Sequence, residues 1–528
     1  MKRSISWVVF HFGAVACAAV SLATGFRIAV LNHPALLWFD SVLPQGNVHS
    51  VHIVSGFTLA AISSVYFLQT VVRSLSRFFN QSSIPASPQN AYHRLVQWFG
   101  YLIIPLLLAS GMLFFFDQSY WISLLHLHFI AACLLLVYVV LHGGGYFVHF
   151  GNAIFKRILL AEMRHRTVQL AIVAAALIIG VGGYWAWGSK PVQPLTVAAM
   201  DINRFMDIDG KANEPVWQQA SKLTVQTHGG ANFNHGSTPV TIQAAENGVE
   251  AYFLFTWNDP DKSLRHLPLV KKEQGWQVQH NGFYEFNEVE FYEDKFAVML
   301  SDHCESAAAA TVHLGSKPLA DKPANWHGKG YHYAQDGHVR DVWHWKAVRT
   351  NDMYLADDNF FGAPQPARPG ERRYSAGYLA DGKESGAYVS NWLWFQPDSI
   401  VPRRIPKQEG MIAPYQNHTP NQSWVISWFD YEPYQPQKDQ YPVGTVMPSV
   451  LYRSNRFEGD RADVRARGTW QNGQWTLEIA RRLNTGSKND VPLADGVCMW
   501  VSAFDHSQVA HTRHHQAIKL MFEGYRND

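Results

Sequence analysis

The sequence lacks several features that would assign it to a class at once. It has no CxxCH motif, so nothing provides for covalent c-type haem attachment. Charged residues are scarce, at 16% of the 528 positions, and a net charge of +2 gives no reason to expect a nucleic-acid partner. No internal repeat is visible, which argues against solenoids and propellers. The chain is therefore neither a nucleic-acid binder by charge nor a repeat array.

Cysteine is also scarce, with four in the chain. Cys17 and Cys133 fall inside apolar stretches and are interpreted as small core residues. Cys304 and Cys498 lie in the polar half, where they either form one disulfide in an oxidising compartment or remain two free thiols. The pattern leaves both states open.

The chain divides sharply near Lys190, with long apolar runs before it and a polar, Trp- and Tyr-rich part after it. The first segment is too long for a signal peptide and no clear cleavage site follows, so we expect it to be retained. Five apolar segments are long enough to span a bilayer, at 7–31, 51–72, 95–116, 122–148 and 168–187.

The distribution of basic residues predicts the orientation of these segments. Lys and Arg occur before the first segment, between the second and third, and between the fourth and fifth. The loop 32–50 and the link around Asp117 contain none. By the positive-inside rule, the N-terminus is cytoplasmic and the chain after about residue 190 is periplasmic. We therefore expect a multi-pass protein of the bacterial inner membrane.

Four histidines in the apolar half form pairs at matching depths. His128 and His142 are fourteen residues apart, which is about 21 Å of helix and within about 40° of the same face. His52 shares the outer depth with His128, and His11 shares the inner depth with His142. Each pair is predicted to hold one haem iron between two imidazoles.

This half resembles the di-haem b-type cytochrome subunits of membrane-bound hydrogenases and formate dehydrogenases. The resemblance covers about residues 5–190 and rests on the four histidines, of which His52 lies in HIVSG and the last two bound HFIAACLLLVYVVLH. It implies two haems b and exchange of electrons with a quinone pool, although we identify no quinone motif. Arg27 is predicted to pair with a haem propionate, and Gly56 to let the macrocycle approach its helix.

The polar half follows a predicted linker at 188–200 and shows strand signals separated by turns. Strands are predicted at 249–257, 295–301, 387–395, 423–431 and 496–504. The fold class expected for the chain is a membrane all-α bundle of five transmembrane helices fused to an all-β antiparallel sandwich. The expected domains are 1–190 and 196–528.

The clearest local unit is RGTWQNGQWTLEIARRL at 467–483. Its Asn472-Gly473 pair favours a tight hairpin turn. That turn places Trp470 and Trp475 opposite each other on adjacent strands.

Four stretches of this half resemble the haem-binding subunit of ethylbenzene dehydrogenase and its relatives in the dimethylsulfoxide-reductase class. These are DIDGKANEPVWQQASKLTV (207–225), YEDKFAVMLSDHCES (292–306), DVWHWKAVRTNDMYLADD (341–358) and FDHSQVAHTRHHQAIKLMF (504–522). The resemblance implies one haem b held by a methionine of the first central motif, here Met299, and by a basic residue of the closing strand.

The second ligand departs from the pattern of that family. Its best-known member has lysine there, whereas this chain has Arg513-His514-His515. His515 aligns best with the lysine, but strand parity groups Ile518 with His514. We favour His515 and retain His514 as the alternative.

Together these features predict a transmembrane electron carrier between a quinone pool, or a cytoplasmic donor, and an extracytoplasmic redox partner. Its other contacts would be membrane lipid. The alternative is a membrane-anchored sugar- or metal-binding sensor without an outer haem. DIDG…W also opens some carbohydrate-binding sandwiches, and His303, His344 and the HxRHH cluster can bind metals.

Overall fold

The structure is a computed structural model in which the chain forms two compact units. The helical unit comprises Met1–Lys190 with Val312–Tyr331, and the β unit comprises Pro191–Thr311 with His332–Asp528. The residues that the structure describes are 5–30, 36, 39, 42–44, 48–78, 88–115, 122–152, 192–304, 312–313, 331–334, 336–366, 376–380, 388–396, 399–407, 409–414, 424–453, 459–514 and 516–523.

Four long helices form the described part of the helical unit. They are α1 (Ile5–Ala29), α2 (Val48–Phe78), α3 (Pro88–Phe115) and α4 (Ile122–Phe150). Helix α1 contacts α2 and α4, and α3 contacts the same two helices. Because consecutive helices are antiparallel neighbours, the start of α2 and the start of α4 lie at the same end of the bundle.

Three of these helices contain stretches long and apolar enough to cross a membrane, at Phe10–Ala29, Ala91–Phe115 and Leu124–Phe150. Helix α2 carries a shorter apolar stretch, Val51–Val65. The chain is therefore a membrane protein with a helical N-terminal region. The predicted fifth span, 168–187, lies outside the described residues.

The strands that the structure describes follow the helices along the chain. They are β1 (Val192–Ala199), β2 (Leu223–His228), β3 (Ser237–Glu246), β4 (Glu250–Asn258), β5 (Leu269–Lys272), β6 (Gly275–Val278), β7 (Lys295–Ser301), β8 (Val312–His313), β9 (Tyr331–His332), β10 (Arg340–Lys346), β11 (Asp357–Phe361), β12 (Tyr378–Ala380), β13 (Tyr388–Ser390), β14 (Trp392–Gln396), β15 (Ser399–Pro402), β16 (Arg404–Pro406), β17 (Ala413–Pro414), β18 (Val425–Ile426), β19 (Tyr431–Pro433), β20 (Thr445–Met447), β21 (Val450–Tyr452), β22 (Arg465–Gln471), β23 (Gln474–Arg482), β24 (Cys498–Phe504) and β25 (Ala517–Phe522). The central sheet of the β unit has twelve of them, in the order β12-β11-β10-β7-β24-β25-β1-β3-β4-β23-β22, with β2 paired to β3.

The hairpin of β22 and β23 confirms the prediction made from its turn. Trp470 pairs directly with Trp475. Asn472 and Gly473 both have positive φ, at 53° and 81°, as a two-residue turn of the primed type requires. Trp475 is buried and contacts Trp257 and Trp345, so the hairpin contributes to the main core.

The expectation of a purely antiparallel fold is wrong for two strand pairings of the central sheet. Strand β1 pairs in parallel with β25 and with β3. It occupies most of the stretch predicted as a linker, because its alternating residues Leu195 and Val197 are buried in the core. The sheet therefore begins at Val192, next to the last strand of the chain.

The stretch 207–225, the first of the four stretches with a family resemblance, contains a short helix before its strand. A short helix, Pro215–Gln219, buries Trp217 there, and the strand begins only at Leu223.

Cys304 and Cys498 form a disulfide, with a Cα–Cα distance of 5.3 Å. Cys17 and Cys133 are free thiols. We expect two thiols per denatured chain to react with N-ethylmaleimide before reduction and four after it, measured by intact mass. Four labelled thiols before reduction would contradict the disulfide.

Candidate functional site

The structure brings His52 of α2 and His128 of α4 together at one end of the bundle. Their ring centroids are 6.2 Å apart and the rings are nearly perpendicular. A metal–imidazole bond of about 2 Å, plus about 1 Å from that nitrogen to the ring centre, places two ligating rings about 6 Å apart. The observed separation fits one metal ion between them.

The second nitrogen of each of these rings is anchored by a neighbouring helix. His52 Nδ1 lies 3.0 Å from the carbonyl oxygen of Ser21 and 3.1 Å from Thr24 Oγ1. His128 Nδ1 lies 3.2 Å from the carbonyl oxygen of Leu107 and 3.0 Å from Ser110 Oγ. Because a carbonyl oxygen only accepts, Nδ1 carries the hydrogen and Nε2 keeps its lone pair. Metal-ligating histidines are usually oriented in this way.

His11 of α1 and His142 of α4 form the second pair, at the opposite end of the bundle. Their ring centroids are also 6.2 Å apart, with an interplanar angle of 52°. The Tyr138 ring stacks on His142 at 5.3 Å. The two pairings are those that the depths in the sequence predict, and their separation again suits one metal ion.

Two glycines that the sequence analysis did not identify support the first pair. A Cβ atom on Gly25 would lie 2.9 Å from His52 Cε1, and one on Gly111 would lie 2.9 Å from His128 Cε1. Both glycines follow a hydroxyl residue that bonds the same imidazole, in Ala23-Thr24-Gly25 and in Ala109-Ser110-Gly111. This short repeated pattern is the signal that could have revealed them.

Gly56 and Arg27 also have environments compatible with a flat, acidic cofactor. A Cβ atom on Gly56 would meet nothing within 4 Å, so the helix surface is open there. The Arg27 side chain, in the last turn of α1, is completely buried. A carboxylate is the natural partner of a buried guanidinium, and haem propionates are carboxylates.

In the β unit, Met299 lies on the face of the large sheet that is turned away from the main core. Its strand neighbours Val298 and Leu300 are buried in that core. Met299 pairs with Trp500 across the sheet and packs with Trp500, Ala517 and the Cys304–Cys498 disulfide. The thioether is therefore near the second surface of the sheet, not inside the core.

Both ring nitrogens of His514 are already hydrogen-bonded in the structure. Val501 N–H donates to His514 Nε2 at 3.0 Å, and Nδ1 lies 2.8 Å from the carbonyl oxygen of Gln516. Ligation through Nε2 would leave a buried backbone N–H without its acceptor, which is costly. His515 lies outside the described residues, and its role stays a prediction.

Two polar atoms beside Met299 support a bound group on this face. Trp500 Nε1 and His344 Nε2 are buried and have no hydrogen-bond partner among the described residues. His344 is two positions along β10 from Val342, the cross-strand partner of Met299. Burial, and then the nearby Lys346 ammonium, lower the pKa of His344 well below its ordinary value. The Met299 thioether is a typical haem ligand, and the two unpartnered atoms lie on its face of the sheet, so the residues on this face fit haem b.

A further group of metal-capable side chains lies at the ends of β7 and β10. Asp302, His303 and His338 each offer one ligand atom within 4.8 Å of the others. Partial burial raises the pKa of the Asp302 carboxyl, but hydrogen bonds from both histidines outweigh it, so the pKa lies below its ordinary value. The sequence singled out His303 and could not foresee His338, which is 35 residues further along the chain.

Comparisons with solved structures give only distant likenesses. A family 9 carbohydrate-binding module from Caldicellulosiruptor kristjanssonii, in complex with glucose, is 7% identical, with coverage of 64% of this chain and 98% of that chain and a TM-score of 0.24. A putative carbohydrate-binding protein from Bacteroides uniformis is 9% identical, with coverage of 63% and 100% and a TM-score of 0.26. TM-scores this low carry no argument about fold or ligand. No curated protein matches the chain significantly.

Comparison with protein families gives two matches, one for each part of the chain. Residues 3–165 match the prokaryotic cytochrome b561 family, which implies haem b in a membrane electron-transfer protein. Residues 214–516, more than half of the chain, match the ethylbenzene dehydrogenase family. Both matches agree with the resemblances seen in the sequence, and the chain belongs to the ethylbenzene dehydrogenase family, with an N-terminal region of the cytochrome b561 type.

Proposed function

We propose that the protein carries electrons across the bacterial inner membrane through two haems b in the bundle and one in the β unit. The observation that carries this proposal is the presence of two facing imidazole pairs, His11 with His142 and His52 with His128. Each has ring centroids 6.2 Å apart, and they lie at opposite ends of the same four helices. A lone buried histidine has many structural explanations, whereas two matched pairs suit two stacked cofactors.

Haem b supplies the one-electron redox chemistry when bound, and the chain supplies its position. His52 and His128 would ligate through Nε2, because Nδ1 of each is directed to a backbone carbonyl. The buried Arg27 guanidinium would pair with a propionate. Met299 would be one ligand in the β unit, with His515 as the predicted second ligand.

The proposed architecture is five transmembrane helices (1–190) followed by a periplasmic β-sandwich (196–528). The distribution of Lys and Arg among the loops supports a cytoplasmic N-terminus. The Cys304–Cys498 disulfide supports an oxidising compartment for the β unit. The partners would be a quinone pool and an extracytoplasmic redox protein or acceptor.

The decisive experiment is a haem count on the full chain purified in detergent. We expect b-type bands in the reduced-minus-oxidised spectrum and about three haems per chain by pyridine haemochrome. Met299→Leu should reduce the count to two, because leucine keeps the volume and removes the sulfur ligand. Met499→Leu is the matched control, since Met499 is buried in the main core on the next strand. A count of two in the wild type would contradict the haem in the β unit.

The metal-binding alternative is favoured by one observation, the convergence of Asp302, His303 and His338. Under that alternative, the purified chain contains no haem and binds a divalent transition metal. Replacing any of these three residues would weaken the metal binding. A b-type spectrum with three haems excludes it as the main function. The absence of haem would overturn the electron-transfer proposal.

A further inference from the structure

Three aspartates meet where three strands of the β unit end or begin. Asp259 follows β4, Asp294 precedes β7, and Asp505 follows β24. Strands β7 and β24 are paired neighbours, and Phe504 lies opposite Lys295. Strand β4 is held beside them because Trp257 stacks on Phe296 across the core, with ring centroids 4.7 Å apart. The fold thus forces three carboxylates into one place, which we name the aspartate cluster (Asp259, Asp294 and Asp505).

The aspartate cluster is buried and geometrically suited to one ion. The three side chains are 0–1% exposed, and one oxygen of each lies within 4.8 Å of the others. Two oxygens bound to a calcium ion at 2.3–2.6 Å can be at most about 5 Å apart. The three oxygens therefore lie close enough together to share a single cation.

The hydrogen bonding of the aspartate cluster leaves ligand positions open. Asp294 accepts from His506 N, Ser263 N and Trp475 Nε1, at 3.0, 2.7 and 3.2 Å. In contrast, Asp259 Oδ2 is buried and has no hydrogen-bond partner in the described part of the chain, and the same holds for Asp505 Oδ2. A buried acceptor without a donor is costly, so these two atoms point to a missing positive ligand.

Charge balance leads to the same conclusion. Among the described contacts of the aspartate cluster, one cationic group touches it, since His506 Nδ1 contacts Asp505 Oδ1. Lys262 also interacts electrostatically with Asp294. The second buried cluster of the β unit, Asp341, Asp358 and Asp490, instead contains an arginine, Arg481. That cluster therefore holds a completely buried, permanently charged guanidinium, whereas the described contacts of the aspartate cluster include only the imidazole of His506.

We propose that Asp259, Asp294 and Asp505 bind a calcium ion that ties together the ends of β4, β7 and β24. The donor set is all carboxylate oxygen, which suits calcium better than zinc, because zinc prefers nitrogen and sulfur ligands. Magnesium is less suitable because it demands near-ideal octahedral geometry, whereas these three carboxylates are fixed by the ends of three strands. A cavity of about 520 Å³ lies beside the cluster, since Ser263 and His506 both line it and donate backbone N–H bonds to Asp294. Its lining also includes Asp261, Lys262, Arg265 and Glu290.

The test is terbium luminescence on the full chain after treatment with a chelator. Terbium(III) substitutes for calcium and is excited through a nearby indole, here Trp475. We expect saturable, tryptophan-sensitised emission that calcium displaces, and a calcium-dependent rise in the melting temperature of the β unit. Asp259→Asn and Asp505→Asn should abolish both effects, whereas Asp302→Asn, at the exposed histidine cluster, should retain both.

The opposite result is equally specific. If the wild-type chain shows neither displaceable emission nor a melting shift, the calcium proposal is overturned, whether or not the variants fold. In that case Asp259→Asn should melt at a higher temperature than the wild type, because it removes one charge from a repulsive cluster. The haem count of the wild type is independent of this outcome, so the two proposals can fail separately.

Discussion

Replacing His128 with alanine is expected to lower the haem b content of the purified protein by one haem per chain. The ring centroid of His128 lies 6.2 Å from that of His52, and Nε2 of His128 is the nitrogen left for ligation. Alanine removes that ligand and leaves His52 alone in an apolar bundle. His142→Ala should also remove one haem, through the pair with His11.

Double variants test the pairing itself. His52→Ala combined with His128→Ala should still lose one haem, because both residues serve one site. His128→Ala combined with His142→Ala should lose two, because the residues serve different sites. His126→Ala is the matched control, since His126 is exposed on the same helix and should leave the count unchanged. Equal losses in both double variants would contradict the pairing.

The pairing of the four histidines could be predicted from the sequence because it depends on depth, and depth follows from helix length and topology. Their anchoring could not be predicted. It depends on which backbone carbonyl of α1 or α3 faces each imidazole, and this is set by how each helix is rotated about its own axis. Gly25 and Gly111 matter only because an imidazole lies against them.

In the β unit, local features were predictable and long-range pairings were not. The Asn472-Gly473 turn fixes its own hairpin because the residues that pair beside it are three to five positions apart in sequence. Strand β1 pairs with β25, more than 300 residues away, and no local pattern encodes that partner. The apolar run around Met299 predicted a strand, but both faces of this strand are covered, so the sequence did not show which face carries Met299.

Replacing Arg481 with methionine is expected to destabilise the β unit by about 3–5 kcal/mol, the typical effect of removing one partner of a buried ion pair. Arg481 and Asp341 are completely buried and in contact, and Asp490 lies 3.8 Å from the guanidinium. The guanidinium also lies over the Trp343 ring, 5.0 Å from its centroid. Methionine keeps much of the side-chain volume but leaves Asp341, Asp358 and Asp490 without this cation. We expect the melting temperature to fall by roughly 6–15 °C, measured by tryptophan fluorescence.

Two further variants separate loss of charge from loss of packing. Arg465→Met removes the ion pair between Arg465 and Glu250. Because the Arg465 side chain is 43% exposed, this should lower the free energy of unfolding by less than about 1 kcal/mol. Asp341→Asn added to Arg481→Met should recover part of the lost stability, because it removes one of the stranded carboxylates. If the double variant is no more stable than Arg481→Met alone, the guanidinium acts mainly by packing against Trp343. If Arg481→Met melts at the same temperature as the wild type, the three carboxylates do not need the charge of Arg481. The electrostatic argument for the aspartate cluster would then be weaker as well.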